Sequence, residues 1–354
     1  MNIGKLDKIF STFHTLYVCM EETFRNIISV VVCTYNQEQT IGRALDSILR
    51  QQCEWGVEII IGDDCSSDHT ADICRDYASR YPEQIRYIRN ERNKGVEENY
   101  FDCLLMACGK YIADLAGDDE WTDTKKLERQ RRYMEEHPQC VMLHTDYDVR
   151  CEQTGSIMPA AEYPYDTRPA EGAEMAARVL SQRYRPAVHL CTAMYRNDAF
   201  RRCYARHRRF FRDNIYPCED MQLTALMAYE GTTDYMPQKT LAYTVSNRSI
   251  SNSASERKAY AFKKAAAVLA ADLRDYLSIR SGSVERAMEH RIYELLMHAF
   301  RLNDRTLRAD ALHLAHERSI RLRMLRTWTV CIVTSCRPLW AMALAARRIK
   351  KNKI

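Results

Sequence analysis

No two of the chain's fourteen cysteines form a Cys-x-x-Cys pair, which argues against a zinc knuckle and against a thioredoxin-type site. No stretch of 18 or more residues is uninterruptedly apolar, so no transmembrane helix is expected. The nearest candidate, 327–346, is broken by Arg337 and Pro338. The first 26 residues lack the continuous apolar core of a cleavable secretory signal, and free cysteines without a signal fit a reducing cytosol. The first β–α turn does not read Gly-x-Gly-x-x-Gly, which speaks against a dinucleotide cradle. A net charge of +5 is too small to argue for nucleic acid. There are no internal repeats and no low-complexity tract.

What is present is an ordinary globular composition, with 46% hydrophobic and 28% charged residues. Residues 1–26 carry Ile9, Phe10, Phe13, Leu16 and Tyr17 at helical spacing, an amphipathic extension. The β-branched run Ile27 to Cys33 reads as a central strand buried on both faces. Ile41, Ala44, Leu45, Ile48 and Leu49 then repeat at helical spacing. Strands at 57–61, 85–88 and 111–115 alternate with further helical patterns, which predicts a parallel sheet with right-handed crossovers. A charged helix is expected over 123–137, strands over 141–147, 190–195 and 241–245, and helices over 198–204 and from Glu219 to about Tyr229. From Ser255 to about Arg326 the pattern is helical throughout. The expected domains are the extension at 1–26, an α/β domain at 27–252 and a helical region at 253–354.

Three acidic pairs stand at strand or loop ends: Asp63–Asp64, Asp118–Asp119 and Glu219–Asp220. The first two follow β–α units, so both are expected on the carboxyl edge of one sheet, where ligands of open α/β sheets bind. Adjacent carboxylates repel unless a cation lies between them, and a hard divalent ion often shares such ligands with a substrate's phosphates. The acid-lined crevice therefore suits a nucleotide diphosphate with a metal.

In these motifs the chain resembles the family 2 glycosyltransferases, which have the GT-A fold. The resemblance runs from about Ile28 to Ser253. It rests on Ser29-Val-Val-Val-Cys-Thr-Tyr-Asn36, Ile59-Ile-Ile-Gly-Asp-Asp-Cys-Ser-Ser-Asp68, Asn93-Lys-Gly95, Gly109-Lys-Tyr-Ile with Gly117-Asp-Asp119, and Glu219-Asp220. It implies a GT-A domain, a Rossmann-like mostly parallel sheet, with a helical C-terminal extension. It implies an inverting transferase that moves a sugar from a UDP-sugar to a hydroxyl of a glycan or lipid-linked acceptor in surface polysaccharide synthesis. Cys33, Thr34 and Tyr35 would line the nucleobase pocket and Asp64 would bond the base, with Asn93 and Gly95 completing the donor site. Asp118, supported by Asp119, would hold Mn2+ or Mg2+, and Asp220 would be the catalytic base. One position departs from the pattern: the motif usually reads Asp-x-Asp, and its first position here is Ala116. A non-catalytic nucleotide-sugar binder or scaffold is therefore the alternative, and a nucleotidyltransferase is a further rival that lacks a basic Gly-rich phosphate loop.

Each residue also has a plainer reading. Asp63–Asp64 suit an Asx-type turn before a helix capped by Ser66, Ser67 or Asp68. Glu219–Asp220 suit the positive end of a helix dipole. His189 is either near the acceptor or structural, and Trp121 either stacks on a sugar or fills the core. The cluster Arg201, Arg202, Arg206, Arg208, Arg209 and Arg212 reads as an anion site or a solvated face. The C-terminal segment pairs Trp328, Ile332, Leu339, Trp340 and Met342 with flanking Arg and Lys. That pattern suits peripheral docking on an anionic membrane, here the inner face of the plasma membrane, or a last helix followed by a basic tail.

Overall fold

The computed structural model describes residues 26–160, 168–181, 188–212, 216, 218–245, 255–336, 338–343 and 345. The expected N-terminal helix and the Arg and Lys residues at 337 and 346–354 lie outside them.

The elements run in the following order. First come β1 (Ile27–Thr34), α1 (Ile41–Leu49), β2 (Gly56–Asp63), α2 (Thr70–Arg80), β3 (Ile85–Arg89), α3 (Val96–Met106), β4 (Tyr111–Ala116) and β5 (Glu120–Trp121). Next are α4 (Lys126–Glu136), β6 (Cys140–Cys151), β7 (Ile157–Pro159), α5 (Gly172–Ser181), β8 (Met194–Arg196), α6 (Asn197–Arg206) and α7 (Arg208–Arg212). Last are α8 (Glu219–Met227), β9 (Thr232–Val245), α9 (Glu256–Tyr276), α10 (Gly282–Leu302), α11 (Arg305–Glu317) and α12 (Leu325–Ser335).

The chain forms two compact units. The first comprises the described residues up to Asp148 with His189–Arg206 and Asp234–Tyr243. Its sheet has the order β3-β2-β1-β4-β8-β6-β9-β5. β1 lies at the middle of a parallel quartet, with β2 on one side and β4 on the other. Ile28, Val30, Val31 and Val32 of β1 are all buried, the outcome of covering both faces of a strand with crossover helices. β8 then runs antiparallel to β4 and β6, and β5 antiparallel to β9, so the sheet is mixed beyond β4. The core beneath it gathers Ile41, Ala44, Leu45 and Ile48 of α1 against Val30, Ile59, Leu115 and Trp121.

Two expectations change here. The apolar run 190–195 is not one strand. The carbonyl of His189 accepts from both the backbone N–H (2.8 Å) and the hydroxyl (2.7 Å) of Thr192, closing a 3-10 turn before β8. β9 starts nine residues before the expected Leu241, because polar residues such as Asp234, Gln238 and Lys239 hide the strand's apolar alternation.

The second unit takes Val149–Val188, His207–Thr233 and the chain from Thr244. α9, α10 and α11 pack together through buried Leu269, Leu273, Ile292, Leu295, Leu296 and Leu314. The continuous helical pattern is cut where the chain needs caps. Asn303 takes a left-handed φ of 53° after α10, and the Asp304 carboxylate accepts from the N–H groups of Thr306 and Leu307 to start α11.

Candidate active site

The end of β1 ties two acidic loops together. The Thr34 carbonyl accepts from Asp64 N–H at 3.0 Å, and the Cys33 carbonyl accepts from Gly117 N–H at 3.1 Å. Asp63–Asp64 and Asp118–Asp119 thus share the carboxyl edge of β1, β2 and β4. Strand register produces this: Thr34 pairs with Asp63 and Cys33 with Ala116.

The two aspartates after β2 do different work. Asp63 is fully buried. It accepts from Ser66 N–H at 2.9 Å and Tyr87 Oη at 2.8 Å, with the Arg89 guanidinium at 3.5 Å. It is the Asx-type turn residue, and Asp68 serves the following helix by accepting from Thr70 N–H at 3.0 Å. Asp64 points instead at the loop before α3. One of its oxygens accepts from Asn90 Nδ2 (2.9 Å) and Lys94 N–H (2.8 Å), and the other from Gly95 N–H (2.8 Å). Gly95 has φ 92°, a conformation that favours glycine and turns its N–H toward the carboxylate. The exposed Asn93 rides on the loop so held. Of the remaining donor-site residues, Tyr35 is 47% exposed, whereas Thr34 is buried and donates to Gln37 Oε1.

After β4 the chain makes a tight turn, with Asp119 N–H donating to the Ala116 carbonyl at 3.1 Å. Gly117 cannot carry a side chain here: a Cβ would lie 2.9 Å from Thr34 Oγ1 and 3.1 Å from Ile41 Cδ1. Arg43 of α1 fastens the turn by donating to the Asp118 carbonyl at 2.9 Å and pairing with Glu120 at 3.6 Å. Asp118 is half-buried and Asp119 is buried. The Asp119 carboxylate lies with an imidazole nitrogen of His189 and the Cys191 sulfur, all within 4.8 Å of one another. These donor types can hold a divalent cation.

Trp121 is 2% exposed and donates from Nε1 to the Cys191 carbonyl at 2.8 Å, so it is a core residue and not a sugar platform. Asp114 is buried and accepts from Tyr195 Oη, which also bonds Tyr100 Oη. Arg201 and Arg202 serve their own helix surroundings, with Ala107 O at 2.8 Å and Asp198 at 2.7 Å. Asp220 belongs to the second unit, half-buried in the first turn of α8, whose residues from Met221 onward are buried.

Lys126 escaped the sequence reading. It looks like a first-turn surface charge on α4, yet it is fully buried, donating to Gln130 Oε1 (2.7 Å) and lying 4.4 Å from the Trp121 ring centre. Burial pushes its amine down from 10.5 to about 7, against the opposing pull of Asp114. A depressed lysine binds its proton less readily folded than unfolded. Stability therefore rises with pH between about 7 and 10.5, at up to ~1.4 kcal/mol per unit. Denaturant midpoints are expected to rise from pH 7 to pH 9, and Lys126→Met is expected to flatten that rise. Equal slopes in the two proteins would contradict a neutral buried amine. Nothing in the pattern of charges signalled this residue, because its burial depends on β8 closing over α4.

Residues 29–203 match the model of Glycosyl transferase family 2. Over 112 residues the chain is 46% identical to uncharacterized protein Rv1520 of Mycobacterium tuberculosis, which is 32% of each chain. Over 109 residues it is 36% identical to UDP-Glc:alpha-D-GlcNAc-diphosphoundecaprenol beta-1,3-glucosyltransferase WfaP of Escherichia coli, 31% of this chain and 41% of that one. The matches thus span about a third to two fifths of these curated relatives. The solved structure of S. aureus TarS 1-349 in complex with UDP is similar in fold, with a TM-score of 0.53 at 18% identity over 78% of this chain and 74% of that one.

Proposed function

Since residues 29–203 belong to glycosyl transferase family 2, we propose that the chain is an inverting glycosyltransferase that takes a UDP-sugar and glycosylates a hydroxyl of a glycan or lipid-linked saccharide in surface polysaccharide synthesis. The observation that carries the reading is the pairing of both acidic loops with the last carbonyls of β1. It brings the loops that follow β2 and β4, the strands on either side of β1, to one edge, where the first would hold the nucleoside and the second the cation. The name of WfaP, a UDP-Glc-dependent transferase acting on a diphosphoundecaprenol-linked sugar, supports the donor and acceptor classes.

In this mechanism Asp64 acts on the donor by holding the 90–95 loop against the base, with Cys33, Thr34 and Tyr35 along its other side. A Mn2+ or Mg2+ ion at Asp118 and Asp119, when bound, would stabilise the negative charge that develops on the departing diphosphate. Asp220 takes the proton of the acceptor hydroxyl, which is too weak a nucleophile unaided. Attack from the face opposite the leaving group inverts the anomeric centre, so one base suffices. Ala116 favours a second reading, a nucleotide-sugar binder that does not turn over. Purified protein mixed with UDP-sugars, Mn2+ or Mg2+ and a lipid-linked saccharide is expected to release UDP. Binding of UDP without release under any acceptor would favour the second reading.

The last helix carries a second partner in this proposal. No helix among the described residues is long and apolar enough to cross a membrane. α12 nevertheless exposes Leu325 (84%), Trp328 (57%) and Ile332 (53%) at helical spacing, continued by Met342 (68%). Arg321, Arg323 and Arg326 are exposed beside them. An apolar stripe flanked by arginines suits an anionic lipid surface, consistent with action at the inner face of a plasma membrane. Co-sedimentation with phosphatidylglycerol vesicles, and not with neutral ones, is expected, and Leu325→Asp/Ile332→Asp is expected to abolish it. Unchanged partitioning after removal of 327–354 would rule the docking out.

A further inference from the structure

We infer that the cation of this edge is taken by a mixed donor set, the Asp119 carboxylate, the His189 imidazole and the Cys191 thiolate, which selects a borderline ion such as Zn2+ or Co2+ over the hard ions Mg2+ and Mn2+. The inference rests on the metal-binding reading of the turn after β4, and it deepens that reading by naming ligands that no Asp-x-Asp pattern supplies.

Three observations converge. The first is proximity: one potential ligand atom from each residue lies within 4.8 Å of the others. Tetrahedral bonds of ~2.0–2.3 Å place ligands about 3.3–3.8 Å apart, so small side-chain rotations close the set. The second is rigidity. The 3-10 turn fixes residues 189 to 192 through the His189 carbonyl, and Trp121 Nε1 holds the Cys191 carbonyl at 2.8 Å. The His189 ring packs against Tyr243 at 4.5 Å and Tyr147 at 5.6 Å between centres. Ligands held by surrounding packing and hydrogen bonds lose little freedom on binding.

The third is charge. Position 116, where the pattern has an acid, is alanine, and Ala116 N–H donates to Cys191 Sγ at 3.3 Å. Once it is bound to the ion, Cys191 would supply the negative charge that Ala116 lacks. On binding, the Cys191 thiol gives its proton to solvent and forms a sulfur–metal bond. One carboxylate and one thiolate then balance the divalent charge, with neutral imidazole as the third donor. Mg2+ takes oxygen ligands in octahedral geometry, whereas thiolate and imidazole suit zinc and its neighbours.

The test uses the full chain and Co2+ alone, without any nucleotide. Titration is expected to produce a thiolate-to-cobalt charge-transfer absorption in the near ultraviolet that saturates at one equivalent. Cys191→Ser, a near-isosteric change, is expected to remove that band while leaving the unfolding midpoint of the metal-free protein in place. His189→Ala is expected to weaken Co2+ binding at least 10-fold. Absence of the band in the unsubstituted protein, or its survival in Cys191→Ser, overturns the assignment. The two readings fail separately. A cobalt–thiolate band without UDP release from any UDP-sugar removes the transferase and keeps the site. Metal-dependent UDP release without the band removes this ligand set alone.

Discussion

Asp220→Asn is expected to lower the rate of sugar transfer by about 10²- to 10⁴-fold, the range over which a positioned general base contributes. The substitution keeps the size of the side chain and its place in the first turn of α8. That helix is buried from Met221 onward, so the fold below the residue is undisturbed. What is lost is the ability to accept a proton. In the proposed mechanism the base acts on the acceptor and not on the donor, so kcat is expected to fall while the KM for the UDP-sugar stays near its original value, the signature of an interaction made in the transition state. Glu219→Gln, one residue earlier, is expected to lose far less. UDP release by Asp220→Asn at the unsubstituted rate would mean that the proton goes elsewhere, and an equal loss in Glu219→Gln would move the base to that residue.

Asp64→Ala is the second large effect, and it acts through a loop. Asp64 is 4% exposed and receives three hydrogen bonds, from Asn90 Nδ2, Lys94 N–H and Gly95 N–H. Hydrogen bonds to a charged group contribute ~1.5–3 kcal/mol each, and a buried donor left without a partner costs a further ~1–3 kcal/mol. Removing the carboxylate frees the loop that carries Asn93 and Gly95. A rise of at least about 100-fold in donor KM, or ~2.7 kcal/mol, is expected, together with a lowered thermal midpoint. Asp64→Asn keeps the shape of the side chain and tests whether a carboxylate is needed as the latch. Donors approach both carboxylate oxygens, so whichever way the amide is turned its NH2 group meets an N–H. Asparagine is therefore expected to be nearly as damaging as alanine. If both variants keep the original midpoint and donor KM, the carboxylate is not the latch of the loop.

The β–α alternation was legible because it rests on local chemistry. Ile27 to Cys33 is too apolar and β-branched to be anything but a buried strand, and the apolar stripe of α1 has only one face to bury. The shared edge of Asp64 and Asp118 was legible for the same reason, since parallel strands joined by right-handed crossovers leave their carboxyl ends together. Lys126, Trp121 and the run 190–195 were not. A lysine in the first turn of a charged helix carries no mark of burial, and the 3-10 turn at 190–192 depends on a hydroxyl reaching back to a carbonyl.

The sequence by itself determined the alternation of strands and helices from β1 to β4, the parallel quartet they form and the place of its acidic edge, because periodicity and chain connectivity act over short distances. Tertiary structure alone decided which aspartate turns inward as a structural anchor and which one latches a loop. It also decided which cysteine and histidine come to lie beside Asp119. Those outcomes depend on contacts between residues about 25 to 75 positions apart, where the solvent a side chain loses and the partner it gains are set by neighbouring strands and loops.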